Sequence, residues 1–306
     1  MFTSIILIFS SISDAHDKKI IVILDWFANP NHAPLFVAKQ EGFFAANGLD
    51  VDFIGPADPA DPPKLVAAGK ADIAITYEPQ FMEQVENGLP LIRIGTLIDH
   101  PLNCLVVLKN SSIHSIQDLK GKRIGYSLGM IDIALDAMLK NNELNVSDVE
   151  KINVHYDLTQ ALLSKKVDAV IGMMRTFEVI QMELVGSPVL AFLPEKNGVP
   201  NYSELILVVN KNNQQDPRYK KFMLALQQGV IYLQQHPEES WNKFAKLHPE
   251  LNDKLNHKAW IASLPYFAKN PLIYNKNEWQ KFQQFMLKNG LIKTTRSVNE
   301  YAIELN

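Results

Sequence analysis

Apolar positions along this chain fall into two rhythms, short unbroken runs and stretches where they recur every three or four residues. Short runs bounded by turn residues predict buried strands, and the wider spacing predicts helices packed against them. The run 19–24 predicts a strand, followed by a polar loop and a helix opened by Pro34 and closed by Gly48. A strand at 51–54, a turn rich in Pro and Asp, and a helix reaching Gly69 come next, and Lys70-Ala71-Asp72 then leads into a buried strand at 73–75. The series then repeats. Lys122-Arg123-Ile124 leads a strand, Gly125-Tyr126-Ser127-Leu128-Gly129 turns into a helix over 131–141, and a strand at 152–156 and a helix through Leu163 follow. Lys166-Val167-Asp168 then precedes the run 169–172, so the two Lys-x-Asp junctions, at Asp72 and Asp168, stand 96 residues apart. Continuous apolar strands alternating with helices predict an α/β fold with parallel-rich sheets covered on both faces. Two copies of one βαβαβ plan predict two lobes.

Two further apolar strands, 104–110 and 205–211, both end in Asn and Lys and bracket the second copy. The chain is expected to leave the first lobe through one and return through the other, as a two-stranded hinge of the kind that absorbs domain closure. That assigns 16–104 and 205–306 to lobe 1 and 105–204 to lobe 2, the architecture of a type II-like periplasmic binding protein. The plainer alternative makes both ordinary interior strands. Beyond Asp216-Pro217, a cap followed by a favoured first helical residue, the pattern is helical over 217–235, 237–247 and 277–289. These helices are expected to cover lobe 1.

Composition narrows the function. The 306 residues suffice for real cores, and a net charge of −3 carries no polybasic footprint, which argues against a nucleic-acid partner. No run reaches the roughly 20 apolar residues that span a bilayer. Residues 2–12 are mostly apolar, and Ser13-Asp14-Ala15 puts small residues where signal peptidase reads, so 1–15 is expected to be a signal peptide and the mature protein periplasmic. The single cysteine, Cys104, excludes an intramolecular disulfide and a cysteine-based zinc cluster. No cofactor or metal is expected, and a monomer is.

Catalytic motifs are scarce. Gly125-Tyr126-Ser127-Leu128-Gly129 fits the Gly-x-Ser-x-Gly of a nucleophile elbow, with Asp168 and then His236, His248 or His257 in the order a hydrolase would need. The favoured alternative is a ligand-binding turn, Ser127, Leu128, Gly129 and Met130, at a helix N-terminus. Loops after the carboxyl ends of strands are where open α/β sheets bind ligands. In lobe 1 these loops offer Asp25, Trp26, Asn29 and His32, then Tyr77 and Glu78; in lobe 2 they offer Met173, Arg175 and Glu178. A polar-aromatic cluster with Tyr202 and Glu204 precedes the return strand. A Trp can stack on a flat ring and a carboxylate can accept from ring amines. The excess of aromatic and acidic residues favours a neutral or amine-bearing heteroaromatic ligand over a sulfonate or phosphate.

The segment Leu24-Asp25-Trp26-Phe27-Ala28-Asn29-Pro30-Asn31-His32-Ala33-Pro34-Leu35 resembles the opening of the NMT1/THI5-like family. So do Glu41-Gly42-Phe43-Phe44, Gly69-Lys70-Ala71-Asp72, Asp118-Leu119-Lys120-Gly121-Lys122-Arg123-Ile124-Gly125 and Val167-Asp168-Ala169-Val170-Ile171-Gly172. The resemblance implies one of two activities. A ThiY-type branch binds a thiamine pyrimidine precursor, of formylaminopyrimidine or hydroxymethylpyrimidine type, for an ABC-transporter permease. A second branch is hydroxymethylpyrimidine phosphate synthase, which uses a pyridoxal lysine and consumes its own histidine. At those two positions this chain carries Thr76 and Gln80, and in place of the synthase's cysteine-rich run it reads Pro200-Asn201-Tyr202-Ser203-Glu204-Leu205. The binding branch is therefore expected. In it Trp26 would stack on the pyrimidine, Asp25 and Tyr77 or Glu78 would bond its nitrogens, and the turn Ser127 to Met130 would close from lobe 2. A synthase-like enzyme, a Ser127 hydrolase and a sulfonate- or taurine-binding protein are the alternatives.

Overall fold

The computed structural model describes residues 19–127 and 131–305; the expected leader and the turn residues Leu128, Gly129 and Met130 lie outside them. The strongest apolar runs are strands: β1 (Lys19–Ile23), β2 (Asp50–Ile54), β3 (Ile73–Thr76), β4 (Leu91–Ile98), β5 (Asn103–Leu108), β6 (Arg123–Tyr126), β7 (Glu150–Asn153), β8 (Ala169–Met174), β9 (Val189–Phe192) and β10 (Leu205–Asn210). Among the described residues they make two five-stranded sheets, ordered β2-β1-β3-β10-β4 and β7-β6-β8-β5-β9. The orders are one plan used twice. In each, the second strand of the order (β1, β6) runs parallel to both neighbours, and the fourth (β10, β5) runs antiparallel to both of its own.

The repeated Lys-x-Asp junction has a local cause. Asp72 Oδ2 accepts the Ile21 N–H at 2.8 Å while the Asp72 N–H donates to the Ile21 carbonyl at 3.0 Å. Asp168 does the same with Arg123, at 2.9 and 2.8 Å. Each aspartate thus fastens the start of one strand to its parallel neighbour. Strands β3 and β4 are buried along their whole length, although β4 carries Arg93 and Thr96 among its apolar residues.

The helices follow the predicted caps. Asp216 accepts the Arg218 N–H at 2.9 Å and opens the helix Pro217–Gln235. That helix packs on the helix Ala33–Gln40 so closely that a Cβ at Gly229 would stand 2.6 Å from the Pro34 carbonyl oxygen. Pro237–Leu247 and Lys276–Lys288 complete the expected set. A further helix, Lys254–Ser263, was not predicted. Two of its buried residues, Asn256 and Ser263, are polar, so its inner face carries too thin an apolar stripe to read.

The hinge differs from expectation. β5 and β10 do not pair with each other; β5 lies between β8 and β9, and β10 between β3 and β4. The chain instead passes between sheets through the segments 99–102 and 193–204, just ahead of those strands. Both strands are apolar but for Asn103 at the start of one and Asn210 at the end of the other, because they are interior members of their own sheets. Among the described residues no helix is long and apolar enough to cross a membrane.

Candidate functional site

The carboxyl ends of β1, β3, β6 and β8 converge between the two sheets on a cleft holding about 470 Å³ of space, its open mouth included. Trp26, Asn29, Asn31 and Tyr77 line it from the first sheet, and Ser127, Leu158, Gly172, Met174, Phe177 and Glu178 from the second, with Asn103 at the crossing. Strand ends gather side chains in this way because the loops there face the gap that the sheets leave open.

Behind the first wall lies a buried relay. Asp25 accepts the Tyr77 hydroxyl at 2.7 Å and His32 Nε2 at 2.8 Å. His32 Nδ1 accepts the Asn29 N–H at 3.3 Å, which leaves Nε2 to donate to Asp25. Burial, with the Asp25 charge adding to it, pushes the Tyr77 phenol well up, so Tyr77 keeps the proton it gives to Asp25. Both Asp25 oxygens are engaged by protein donors, and neither Asp25 nor His32 is among the cleft-lining residues.

Trp26 crosses between the halves. Its ring joins the apolar cluster of the second half, with Cys104, Val154, Leu158 and Leu162, and packs edge-on against Tyr156 at 4.3 Å between centroids. Tyr156 in turn donates to the Pro56 carbonyl at 3.2 Å. Asn31 Oδ1 accepts from Thr176 of the second half at 3.0 Å and from Ser263 of the unpredicted helix at 2.7 Å. Phe27, exposed at the rim, meets Phe177 across the same gap. The two halves are therefore held together around the cleft.

Among the described residues, two polar atoms of the cleft lining have no partner although they are buried: Trp26 Nε1 and Ser127 Oγ. Glu178 is the one charged residue among the described lining residues; its Oε2 accepts the Met174 N–H at 2.9 Å, and burial pushes its carboxyl up to about 7.

The other expected residues sit elsewhere. Met173 is fully buried in β8, and its neighbour Met174 is the one that lines the cleft. Arg175 turns away, binding Glu195 through two bonds of 2.8 and 3.1 Å. Glu78 accepts the Ser203 N–H at 2.6 Å and is pushed by burial up to about 8. Glu204 is fully buried and accepts from the backbone of Leu102 and Asn103, from the Asn103 side chain and from the Tyr202 hydroxyl. It thereby pins the two segments that cross between sheets. Glu204→Gln keeps the shape but puts an NH2 toward these donors, so we expect about 1–3 kcal/mol of lost stability by urea denaturation. A cost near zero would show that the crossing does not depend on this carboxylate.

The hydrolase alternative has no geometry behind it. Among the described residues Ser127 Oγ has no partner, Asp168 is held by Arg123, and His236, His248 and His257 lie beside Glu239, Glu250 and Glu238. Each histidine is instead paired with a neighbouring glutamate, and none is hydrogen-bonded to Ser127 among the described residues.

The residues singled out in the sequence did not include Asn31, Asn103, Leu158, Gly172, Met174 or Phe177 of the lining. Asn31 stood within the quoted opening motif, and a short polar residue after a strand end was its only signal.

The profile of the NMT1/THI5-like family matches residues 29–240. A Haemophilus influenzae protein named as a thiamine biosynthesis protein is 48% identical over 94% of this chain and 92% of its own length. A Legionella pneumophila 4-amino-5-hydroxymethyl-2-methylpyrimidine phosphate synthase is 28% identical over 88% of this chain and 85% of its own length. The formylaminopyrimidine-binding protein of Halalkalibacterium halodurans is 30% identical over 79% of this chain and 74% of its own. Among solved structures, the alkanesulfonate-binding protein SsuA of Xanthomonas axonopodis pv. citri superposes with a TM-score of 0.73 at 15% identity, covering 93% of this chain and 97% of that one.

Proposed function

Because the chain belongs to the NMT1/THI5-like family, we propose that it is a periplasmic solute-binding protein that captures a thiamine pyrimidine precursor and presents it to an ABC-transporter permease. The observation that carries this reading is the cleft's lining: aromatic and amide side chains, one carboxylate, and no Lys or Arg among the described lining residues. A sulfonate or phosphate would bring a full negative charge beside Glu178 with no cation to meet it, which is costly in a desolvated site. An aminopyrimidine brings a flat ring, an amine for Glu178 and ring nitrogens for buried donors. The relative that binds formylaminopyrimidine supports the same ligand class.

The synthase relatives supply the competing reading. Against it, the positions that the resemblance assigns to the pyridoxal lysine and the consumed histidine hold Thr76 and Gln80, which are buried and hydrogen-bonded to each other at 2.9 Å. Neither side chain has an amine to form an imine or an imidazole to give up. The likeness to binding proteins in fold and the two lobes fit a protein that works by closing: a ligand touching both lobes stabilises the shut form, and the permease reads that form.

The test is a thermal-shift panel on protein refolded free of carried-over ligand, with formylaminopyrimidine, hydroxymethylpyrimidine, thiamine, taurine, an alkanesulfonate and pyridoxal phosphate. A pyrimidine at a hundredfold excess over its Kd is expected to stabilise by about 2.7 kcal/mol. A shift with the sulfonates alone would keep the binding role and discard the pyrimidine. A shift with pyridoxal phosphate alone would reopen the synthase reading.

A further inference from the structure

We propose that Trp26 meets the ligand as a hydrogen-bond donor through its indole N–H, opposite the Ser127 hydroxyl of the other lobe, and that this pair couples ligand binding to closure. The inference rests on the reading above that the cleft is the ligand site, and it departs from the expectation that Trp26 serves as a stacking platform.

The ring of Trp26 is already packed on protein aromatics, Tyr156 at 4.3 Å and Phe27 at 5.6 Å between centroids. What the protein leaves unanswered is the N–H edge. Trp26 and Ser127 are each 8% exposed, so Nε1 and Oγ are shut away from bulk solvent, and among the described residues no acceptor or donor reaches either. A buried polar group without a partner disfavours the conformation that buries it. Here the burial of Trp26 is itself a product of closure, since its ring sits in the apolar cluster of the second half. A ligand that accepts from Trp26 Nε1 and bonds Ser127 Oγ removes both penalties, and the Trp26 share belongs to the form in which the ring is packed on the second half. Its binding energy is thereby spent on closing the lobes.

The same two atoms define the ligand's edge. The indole N–H donates only, so the atom it meets is an acceptor, a ring nitrogen or a carbonyl or hydroxyl oxygen, while Ser127 serves as donor or acceptor. A ligand presenting only alkyl or amine groups to Trp26 leaves the penalty in place.

The experiment uses Ser127→Ala and Trp26→Phe. Ser127→Ala deletes an unanswered hydroxyl at almost constant shape, so the ligand-free protein should melt at the same or a higher temperature, whereas a serine bonded within the protein would melt lower when deleted. With formylaminopyrimidine followed by calorimetry, each variant should bind about tenfold more weakly than wild type. Trp26→Phe keeps an aromatic face and lacks only the donor and one ring. A Trp26→Phe affinity within twofold of wild type would overturn the donor role in favour of stacking. A melting temperature for ligand-free Ser127→Ala that falls by several degrees would overturn the coupling, whatever ligand is used. If wild type binds no pyrimidine, the proposed function fails, and the melting comparison still decides whether these groups oppose closure.

Discussion

Arg93→Met is expected to remove about 3–5 kcal/mol of stability and to loosen the C-terminal segment before anything else. Arg93 stands in the middle of β4 and is fully buried. Nη1 donates to the carbonyls of Leu272 and Ile303 at 3.1 and 3.0 Å; Nη2 donates to Thr96 Oγ1, Pro271 and Ile273 at 2.8, 3.3 and 2.6 Å. The Tyr274 ring covers the guanidinium at 4.9 Å. One planar group therefore bonds carbonyls from two separate segments, 271–273 and Ile303, that lie outside regular secondary structure. A Met of similar length fills the space and leaves the Leu272, Ile273 and Ile303 carbonyls without the donors Arg93 gave them, while Pro271 keeps the Thr96 N–H at 2.9 Å. The main-chain bonds between Arg93 and Tyr301 and Ile303 survive the substitution, so the fold should persist in weakened form. Chemical denaturation gives the size, and hydrogen exchange gives the place: faster exchange at 301–303 with the sheet cores unchanged. Arg93→Lys should fall between, because an ammonium keeps the charge and loses the fork. A Met variant within 1 kcal/mol of wild type would mean that the carbonyls find water without strain.

Arg93 also shows what the sequence could and could not convey. The repeat was legible because each half carries its own copy of local signals: a basic-led apolar run, a Gly-bounded helix, a Lys-x-Asp junction. The strand ends that form the cleft were legible for the same reason, and Trp26, Asn29, Tyr77, Ser127 and Glu178 all line it. What local pattern could not reveal was pairing at long range. The runs at β5 and β10 look alike, and nothing within them says that each is inserted into its own sheet. Glu204 reads as a loop glutamate until Leu102 and Asn103 arrive beside it from a hundred residues away. Asn31 reads as a turn residue until Thr176 and Ser263 reach it. Buried polar residues are the hardest to foresee, since their partners, not their neighbours in sequence, decide whether they belong inside.

Stability is expected to fall as pH rises from about 5 to about 9, with Glu78 as the largest single source. Its carboxyl is 1% exposed, one oxygen accepts the Ser203 N–H, and the other has no partner. Desolvation, only partly offset by the Ser203 bond and the Arg93 charge, raises its pKa from the ordinary 4.5 to about 8. The folded protein thus holds a proton that the unfolded chain releases near pH 4.5. Stability from such a group is complete below that value and is lost as pH climbs through the folded pKa. Glu178 and Glu204, both raised by burial to about 7, act in the same direction. The full shift at Glu78 corresponds to at most about 5 kcal/mol, and relaxation around a buried charge lowers what is observed, so we expect roughly 3 kcal/mol between pH 5 and 9 from these groups. Surface carboxylates held low by arginines, Asp168 by Arg123 and Asp216 by Arg218, act oppositely, losing their contribution as pH falls below about 4. The optimum should therefore lie near pH 5. Glu78→Gln separates the cause: the amide oxygen still accepts from Ser203 and never ionises, so the melting temperature at pH 9 should rise by several degrees while that at pH 5 changes little. A wild-type profile flat from pH 5 to 9, or a Gln variant with an unchanged slope, would show that Glu78 gains water on ionising and is not the desolvated acid described here.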